Sequence, residues 1–212
     1  MRTRTGIFVF ANSIIIVAMG CATTEYWQGN QRLKQGDYQG AVEALTKAID
    51  KDPMNFGAYL NRGVAYRNLR EPDKALQDYS RAIEIVPSFG MAYLYRGQVY
   101  ADMGQYERAV EQYDLALKYA DAVQIDAQGQ LVTINKPAVY YDRGNSLYEL
   151  GRYRQAIESY DGALTLSPRF APAYNNRGVA YSKLQDKQAA CRDRSKACDL
   201  NYSPSCKWVK EN

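Results

Sequence analysis

Histidine is absent from all 212 residues. That removes Ser-His and Cys-His nucleophile pairs, imidazole acid–base chemistry and nearly all zinc, haem and non-haem iron sites. A surplus of one charge is also missing. The 27 Lys and Arg against 23 Asp and Glu give +4, and setting aside a segment that carries Arg2 and Arg4 leaves +2. Nothing there suggests a nucleic-acid partner, which would show as a concentrated basic surface. No phosphate-cradling glycine loop and no nucleophile motif occurs, so neither a cofactor nor a catalytic set is expected and an enzyme is the remote reading. What is present is a chain 46% hydrophobic and 24% charged, the balance of a globular protein long enough to bury a core.

Met1 to Thr5 is short and cationic, and the run from Gly6 to Gly20 is apolar except for Asn12 and Ser13. A membrane-spanning helix needs about 20 apolar residues, so residues 1–20 read as an export signal. Ala18-Met19-Gly20-Cys21 resembles the lipobox of bacterial lipoproteins, although that family usually has Leu where Ala18 stands and a small residue where Met19 stands. The resemblance implies acylation of Cys21, which becomes the mature N-terminus and ties the protein to a membrane through a lipid anchor. Ala22, in place of the Asp that signals inner-membrane retention, implies the periplasmic side of the outer membrane. Two alternatives stay open. Ordinary cleavage at the same small-x-small site would give a secreted periplasmic protein, and an uncleaved anchor would give an inner-membrane adaptor facing the cytoplasm.

From Ala22 onward one template recurs with a period of 34 residues, in units 22–55, 56–89, 90–123, 137–170 and 171–204, with an insert at 124–136. The eighth place holds Gly29, Gly63, Gly97, Gly144 and Gly178. The twentieth holds Ala41, Ala75, Ala109, Ala156 and Ala190, and the twenty-seventh holds Ala48, Ala82, Ala116, Ala163 and Ala197. Each unit reads as two amphipathic helices with a turn between them, as at Gly36-Asp37 or Gly151-Arg152. Tyrosines at the fourth and eleventh places, such as Tyr59 with Tyr66 and Tyr93 with Tyr100, are expected to fill the space between paired helices.

This pattern is similar to the tetratricopeptide repeat family over residues 22–204. The resemblance implies an all-α, right-handed superhelix of five helix hairpins, stabilised by stacking because one hairpin cannot cover its own apolar face. It also implies a non-catalytic scaffold that binds a peptide or partner protein in a concave groove, with pilotin-like and hydrolase-adaptor roles as precedents. Residues 205–212 read as a short capping helix in which Trp208 covers the open end of unit five. The insert, QIDAQGQLVTINK, has strand-like character and is expected to form a small hairpin. It serves either as a partner contact or as a tolerated surface insertion.

Cys191 and Cys198 fall at the twenty-first and twenty-eighth places, where small buried apolar residues are expected. KACDLNYSPSC, residues 196–206, also resembles the helix-end motif of Sel1-like cysteine-rich repeats, which implies a Cys198–Cys206 disulfide with Cys191 free. Distance argues against a Cys191–Cys198 link, since seven helical residues separate their backbones by about 10 Å and a disulfide spans at most about 7 Å.

The groove of such a scaffold is lined by the second, fifth, sixth, ninth, twelfth and thirteenth places of each first helix. Those places nominate Trp27, Asn30, Asn61, Arg67, Tyr95, Gln98, Tyr141, Asp142, Asn145 and Asn176 as peptide-binding residues, since amides serve a peptide backbone and tyrosines give flat contact area. Asn30 and Asn61 match the asparagines of the family's carboxylate clamp, but Tyr26, Met91 and Tyr95 stand where its cations belong. Arg62, Arg96, Arg143 and Arg177 recur at the seventh place. They are expected to pack between helices and meet carboxylates among Glu43, Asp78, Glu111 and Glu158.

Overall fold

The computed structural model describes residues 24–122, 124–125 and 131–211, with the side chains at 124, 125, 131, 132 and 208–211 excepted. The export signal, Cys21 and the Trp208 side chain therefore lie outside the described residues. Five helix pairs follow one another: α1 (Thr24–Lys34) with α2 (Tyr38–Lys51), α3 (Phe56–Asn68) with α4 (Pro72–Ile85), and α5 (Gly90–Asp102) with α6 (Tyr106–Lys118). After the insert come α7 (Lys136–Glu149) with α8 (Tyr153–Leu166), then α9 (Ala171–Lys183) with α10 (Lys187–Asp199), and a final α11 (Ser203–Glu211). Each helix packs on the next in sequence, and the first helices of successive pairs also touch, which makes them the inner wall of a solenoid.

The hairpins close at the fifteenth place of every unit. Gly36, Gly104 and Gly151 take the left-handed conformation there, with φ of 77°, 72° and 72°. Arg70 and Gln185 occupy the same place with φ of 62° and 67°, a conformation that costs a residue with a Cβ about 1–2 kcal/mol. Geometry at this turn thus outweighs residue identity. Second helices start on side-chain caps where the sequence supplies them, Asp37 accepting from the Gly40 N–H and Asp186 from the Ala189 N–H.

Packing within a pair is set by one insertion. A methyl group added at Gly144 would sit 2.6 Å from the Tyr160 ring, and one at Gly97 would sit 2.8 Å from the Tyr113 ring. The eighth place is therefore the socket for the twenty-fourth-place side chain, which is Leu45, Tyr79, Tyr113 or Tyr160. These four are fully buried. Tyr66 and Tyr100, expected to fill this space, are only partly buried and pack at its margin. Ala41, Ala75, Ala109 and Ala156 at the twentieth place are 0% exposed, consistent with helices held at close range.

The insert forms a two-stranded antiparallel ribbon, β1 (Gln124–Ile125) with β2 (Leu131–Val132), pairing Gln124 with Val132 and Ile125 with Leu131. Its exit is buried, because Ile134 joins Tyr93, Tyr113 and Val139 in the core between units three and four. Stacking continues across it, α7 packing on α6 as α3 packs on α2.

At the C-terminal end, a disulfide joins Cys198 in the last turn of α10 to Cys206 in α11, with the Cα atoms 4.6 Å apart. Cys191 is free and exposed, contrary to the expectation of burial. Its equivalents Val110 and Ile157 are buried because the following unit covers them. Among the described residues α11 follows unit five, and Cys191 remains exposed beside it.

Two outcomes are expected. Gly144→Ala should destabilise the fold by about 1–3 kcal/mol through overpacking against Tyr160, read as a lower melting temperature. Reducing Cys198–Cys206 should cost about 2–3 kcal/mol, because the closed loop is short. The loss should appear as faster amide exchange in α11 than in α1 to α8.

Candidate functional site

The inner wall is built from first helices, whose polar side chains meet from one unit to the next. Asn61 Nδ2 on α3 donates to Asn30 Oδ1 at 2.6 Å and to the Tyr26 hydroxyl at 3.2 Å on α1. The same arrangement returns between α9 and α7, where Asn176 Nδ2 donates to Asn145 Oδ1 at 2.8 Å and to the Tyr141 hydroxyl at 3.0 Å. Between them, Gln98 Nε2 on α5 donates to Asp142 Oδ2 on α7 at 3.1 Å. Each rung joins the ninth place of one unit to the sixth of the next, a separation of 31 residues where no insert intervenes. Between units two and three the corresponding places hold Val64 and Tyr95, which pack against one hydrophobic cluster instead of forming a polar link.

That apolar rung strands a hydroxyl. Tyr160 reaches the wall from α8 and donates to Asn145 Oδ1 at 2.9 Å. Tyr79, its equivalent on α4, is 0% exposed, and its hydroxyl has no partner among the described residues because Val64 stands where Asn145 would. Tyr95 stacks on it at 5.9 Å between ring centroids. Burial drives the Tyr79 phenol well above its usual range.

The seventh-place arginines pack between helices as expected, and Asp78 is a partner as nominated, whereas the other three partners differ from the nominated glutamates. Arg62 makes two bonds of 2.8 Å to Asp78, and Arg177 makes two of 2.7 Å to Asp193. Arg96 reaches Gln112 and Arg143 reaches Ser159, always sixteen residues on. Glu43, Glu111 and Glu158 precede that position by one residue, a turn of about 100° around the helix, and all three are exposed. The remaining guanidinium nitrogens bond the preceding unit, Arg143 to Asp114 at 2.7 Å, Arg96 to Ser80 at 3.3 Å and Arg177 to Asp161. Burial opposes the Arg177 charge, but hydrogen bonds and charge from Asp193 and Asp161 outweigh it and hold its pKa above the usual arginine value. For Asp78 burial wins over Arg62 and raises the pKa. These arginines are structural clamps.

Hollows remain open on the wall, two of them lined by described residues. One, about 350 Å³, lies between α1, α3 and α5 and is lined by Trp27, Leu33, Phe56, Leu60, Met91 and Tyr95, among others, with Asn30 and Asn61 at its polar edge. Trp27 is 48% exposed there. The other, about 210 Å³, lies between α3, α5, α6 and α7, and Arg67, Gln98, Asp102, Tyr113, Asp142 and Glu149 face it. In it Arg67 donates to Asp102 at 2.8 Å and to Gln98 at 2.7 Å. Asp142 is half-buried, and desolvation raises its pKa against the pull of the Gln98 hydrogen bond and of Arg67.

Of the ten nominated groove residues, Trp27, Asn30, Asn61 and Tyr95 line the larger hollow. Arg67, Gln98, Asp142 and Asn145 line the smaller. Tyr141 and Asn176 line neither, being occupied with each other and with Asn145. Tyr113 and Tyr106 enter the smaller hollow from α6, a contribution missed by reading first helices alone, and Phe56 and Phe89 enter the larger one. The second-helix tyrosines were visible in the sequence only as bulky residues sixteen positions after each eighth-place glycine.

Paired helices stacked in register around a hollow inner wall define a helical-hairpin repeat protein. Models of the tetratricopeptide repeat match residues 26–88 and, separately, 92–122 and 171–203, and a TPR repeat model matches 144–185. The chain belongs to the tetratricopeptide repeat family. Tetratricopeptide repeat protein 28 of Homo sapiens is 39% identical over 51 residues, which is 24% of this chain and 2% of that protein. Small glutamine-rich tetratricopeptide repeat-containing protein 2 of Saccharomyces cerevisiae is 39% identical over 51 residues, 24% of this chain and 15% of that protein. The match thus spans a small part of these relatives. Among solved structures, MamA 41-end from Desulfovibrio magneticus RS-1 superposes with a TM-score of 0.75 at 20% identity, covering 88% of this chain and 98% of that one. Another MamA crystal structure gives 0.71 at 22%, covering 84% and 96%. At such identities the likeness is one of fold.

The two second-helix tyrosines should respond oppositely to loss of the hydroxyl. Tyr79→Phe removes a buried orphan and should raise stability by about 1 kcal/mol, whereas Tyr160→Phe breaks the bond to Asn145 and should lower it by about 1 kcal/mol. Urea unfolding of the two variants checks the pair.

Proposed function

We propose that this chain is a non-catalytic scaffold that holds an extended segment of a partner protein along its inner wall. The observation that carries this reading is the larger hollow, about 350 Å³, left open between α1, α3 and α5 with the Trp27 indole half exposed over it. The amides that could have served a ligand backbone are bound to one another across units, so the wall is rigid and its free recognition chemistry lies in the hollows. A carboxylate clamp does not assemble: Asn61 is committed to Asn30 and Tyr26, and the cation places hold Met91 and Tyr95. Contact area at low entropic cost comes from the aromatic lining, the kind of surface on which binding energy concentrates.

The export signal and the lipobox-like Ala18-Met19-Gly20-Cys21 support a protein tethered through acylated Cys21 to the periplasmic side of the outer membrane, in envelope or appendage assembly. Several acyl chains on one cysteine would give a durable anchor where a single chain gives a marginal one.

One experiment addresses both parts. A photo-crosslinking residue at position 27 or 61 of the full chain, expressed in a bacterial envelope, should trap a partner that the same residue at Glu43 on the outer surface does not. Trp27→Ala with Tyr95→Ala should cut capture about tenfold or more. Cys21→Ser should abolish labelling by a palmitate analogue and release the crosslinked complex from the membrane fraction. Equal trapping from inner and outer positions, or acyl labelling that survives Cys21→Ser, would count against the respective part.

A further inference from the structure

The smaller hollow carries a charge that the fold leaves unbalanced. Three carboxylates, Asp102, Asp142 and Glu149, face it together with one guanidinium, that of Arg67. Arg67 is already bound to Asp102 and Gln98. Asp142 accepts one hydrogen bond, from Gln98, and neither Asp142 nor Glu149 has an ion-pair partner among the described residues. A second, independent observation points into the same space. Tyr113 lines the hollow and is 1% exposed. Unlike Tyr160, which donates to Asn145, its hydroxyl has no hydrogen-bond partner among the described residues, and it lies in the combined field of Asp142, Arg67 and Asp102.

The chemistry of an occupant follows from that arrangement. The carboxylates come from α5 and α7, and among the described residues no three or more acidic, histidine or cysteine side chains are placed to hold a metal ion together. A cation with several donors spread over a plane can serve separated acceptors where a point charge cannot, and a guanidinium presents five N–H groups in that form. We infer that the hollow between α3, α5, α6 and α7 receives an arginine side chain of the partner segment, beside an apolar residue of the same segment in the hollow between α1, α3 and α5. This rests on the groove reading above and specifies its ligand. Asp142 and Glu149 accept from the incoming guanidinium, and the Tyr113 hydroxyl supplies a third acceptor at the floor. The free protein bears a cost for this readiness, since burial disfavours the ionised Asp142 carboxylate. A site strained until its ligand arrives is a common feature of binding surfaces.

The test uses the full chain in mild detergent, biotinylated and immobilised, against a random-peptide phage library. Retained peptides should share an arginine and, at a fixed spacing, an aromatic or aliphatic residue. Replacing that arginine by alanine in a synthetic copy should weaken binding about tenfold to a hundredfold. Asp142→Asn combined with Glu149→Gln should weaken binding of the arginine peptide by a similar factor while leaving the alanine copy unaffected. The Asn side chain keeps the acceptor for Gln98 and removes the half-buried charge, so Asp142→Asn alone should melt above the parent protein at neutral pH. Binders without a selected arginine, equal selection of lysine, binding indifferent to the double substitution, or a destabilised Asp142→Asn chain would each overturn the arginine assignment. In those cases the groove reading would survive if Trp27→Ala still abolished binding. Retention of no peptide at all would sink both.

Discussion

The structure depends on two helices of a hairpin approaching until a large side chain on one fills a gap where the other has none. At Gly144 and Gly97 the ring of a tyrosine occupies the volume that any Cβ would need. With the alanines of the twentieth place fully buried at the same contact, the pair has no room to slide or rotate. A fixed pair geometry, repeated, fixes the angle between pairs. The position of every residue on the inner wall is a consequence of that contact.

Neighbouring pairs are then joined by two polar systems with different tasks. The seventh-place arginines lie between helices and bind both their own unit and the one before, with Arg177 held between Asp193 and Asp161 as the most heavily charged example. These arginines are partly buried, so removing one partner would leave a partly desolvated charge without its compensation. The amide rungs run along the wall itself, where Asn61 with Asn30 and Asn176 with Asn145 repeat one geometry at opposite ends of the solenoid. These rungs engage one polar group of each amide that a peptide backbone would otherwise find. On the proposed reading, recognition falls to the spaces between rungs, one apolar and one acidic.

The interruptions of the pattern are as informative as the pattern. Where Val64 replaces an amide, the rung becomes aromatic and apolar, the Tyr79 hydroxyl is orphaned, and the larger hollow opens beside it. Where Gln98 and Asp142 replace an Asn pair, a half-buried carboxylate is left without a direct ion pair among the described residues. In unit five Arg194 takes the place of the tyrosine, its stem 3.1 Å from where a Cβ on Gly178 would sit, and the end of the stack is fastened by a disulfide rather than by another repeat. Regular units repeat the packing, and the irregular ones open the hollows on which the proposed function rests.

The 34-residue period determined the helix pairs, the turn at the fifteenth place, the buried alanines and the residues of the inner wall, because each is a local or periodic property that repetition writes several times over. The Cys198–Cys206 bond was legible from its likeness to a bridged helix-end motif. Three things were decided only in three dimensions. Whether Arg143 meets Glu158 or Ser159 depends on a single residue step, and a helix turns through about 100° in that step, more than periodic reading resolves. The burial of Cys191 depended on a sixth unit that α11 does not supply. Which wall residues bind each other and which face open space is set by contacts between units 31 and 35 residues apart, where the identity of both partners, and the tyrosine rising from the second helix beneath them, must be known together.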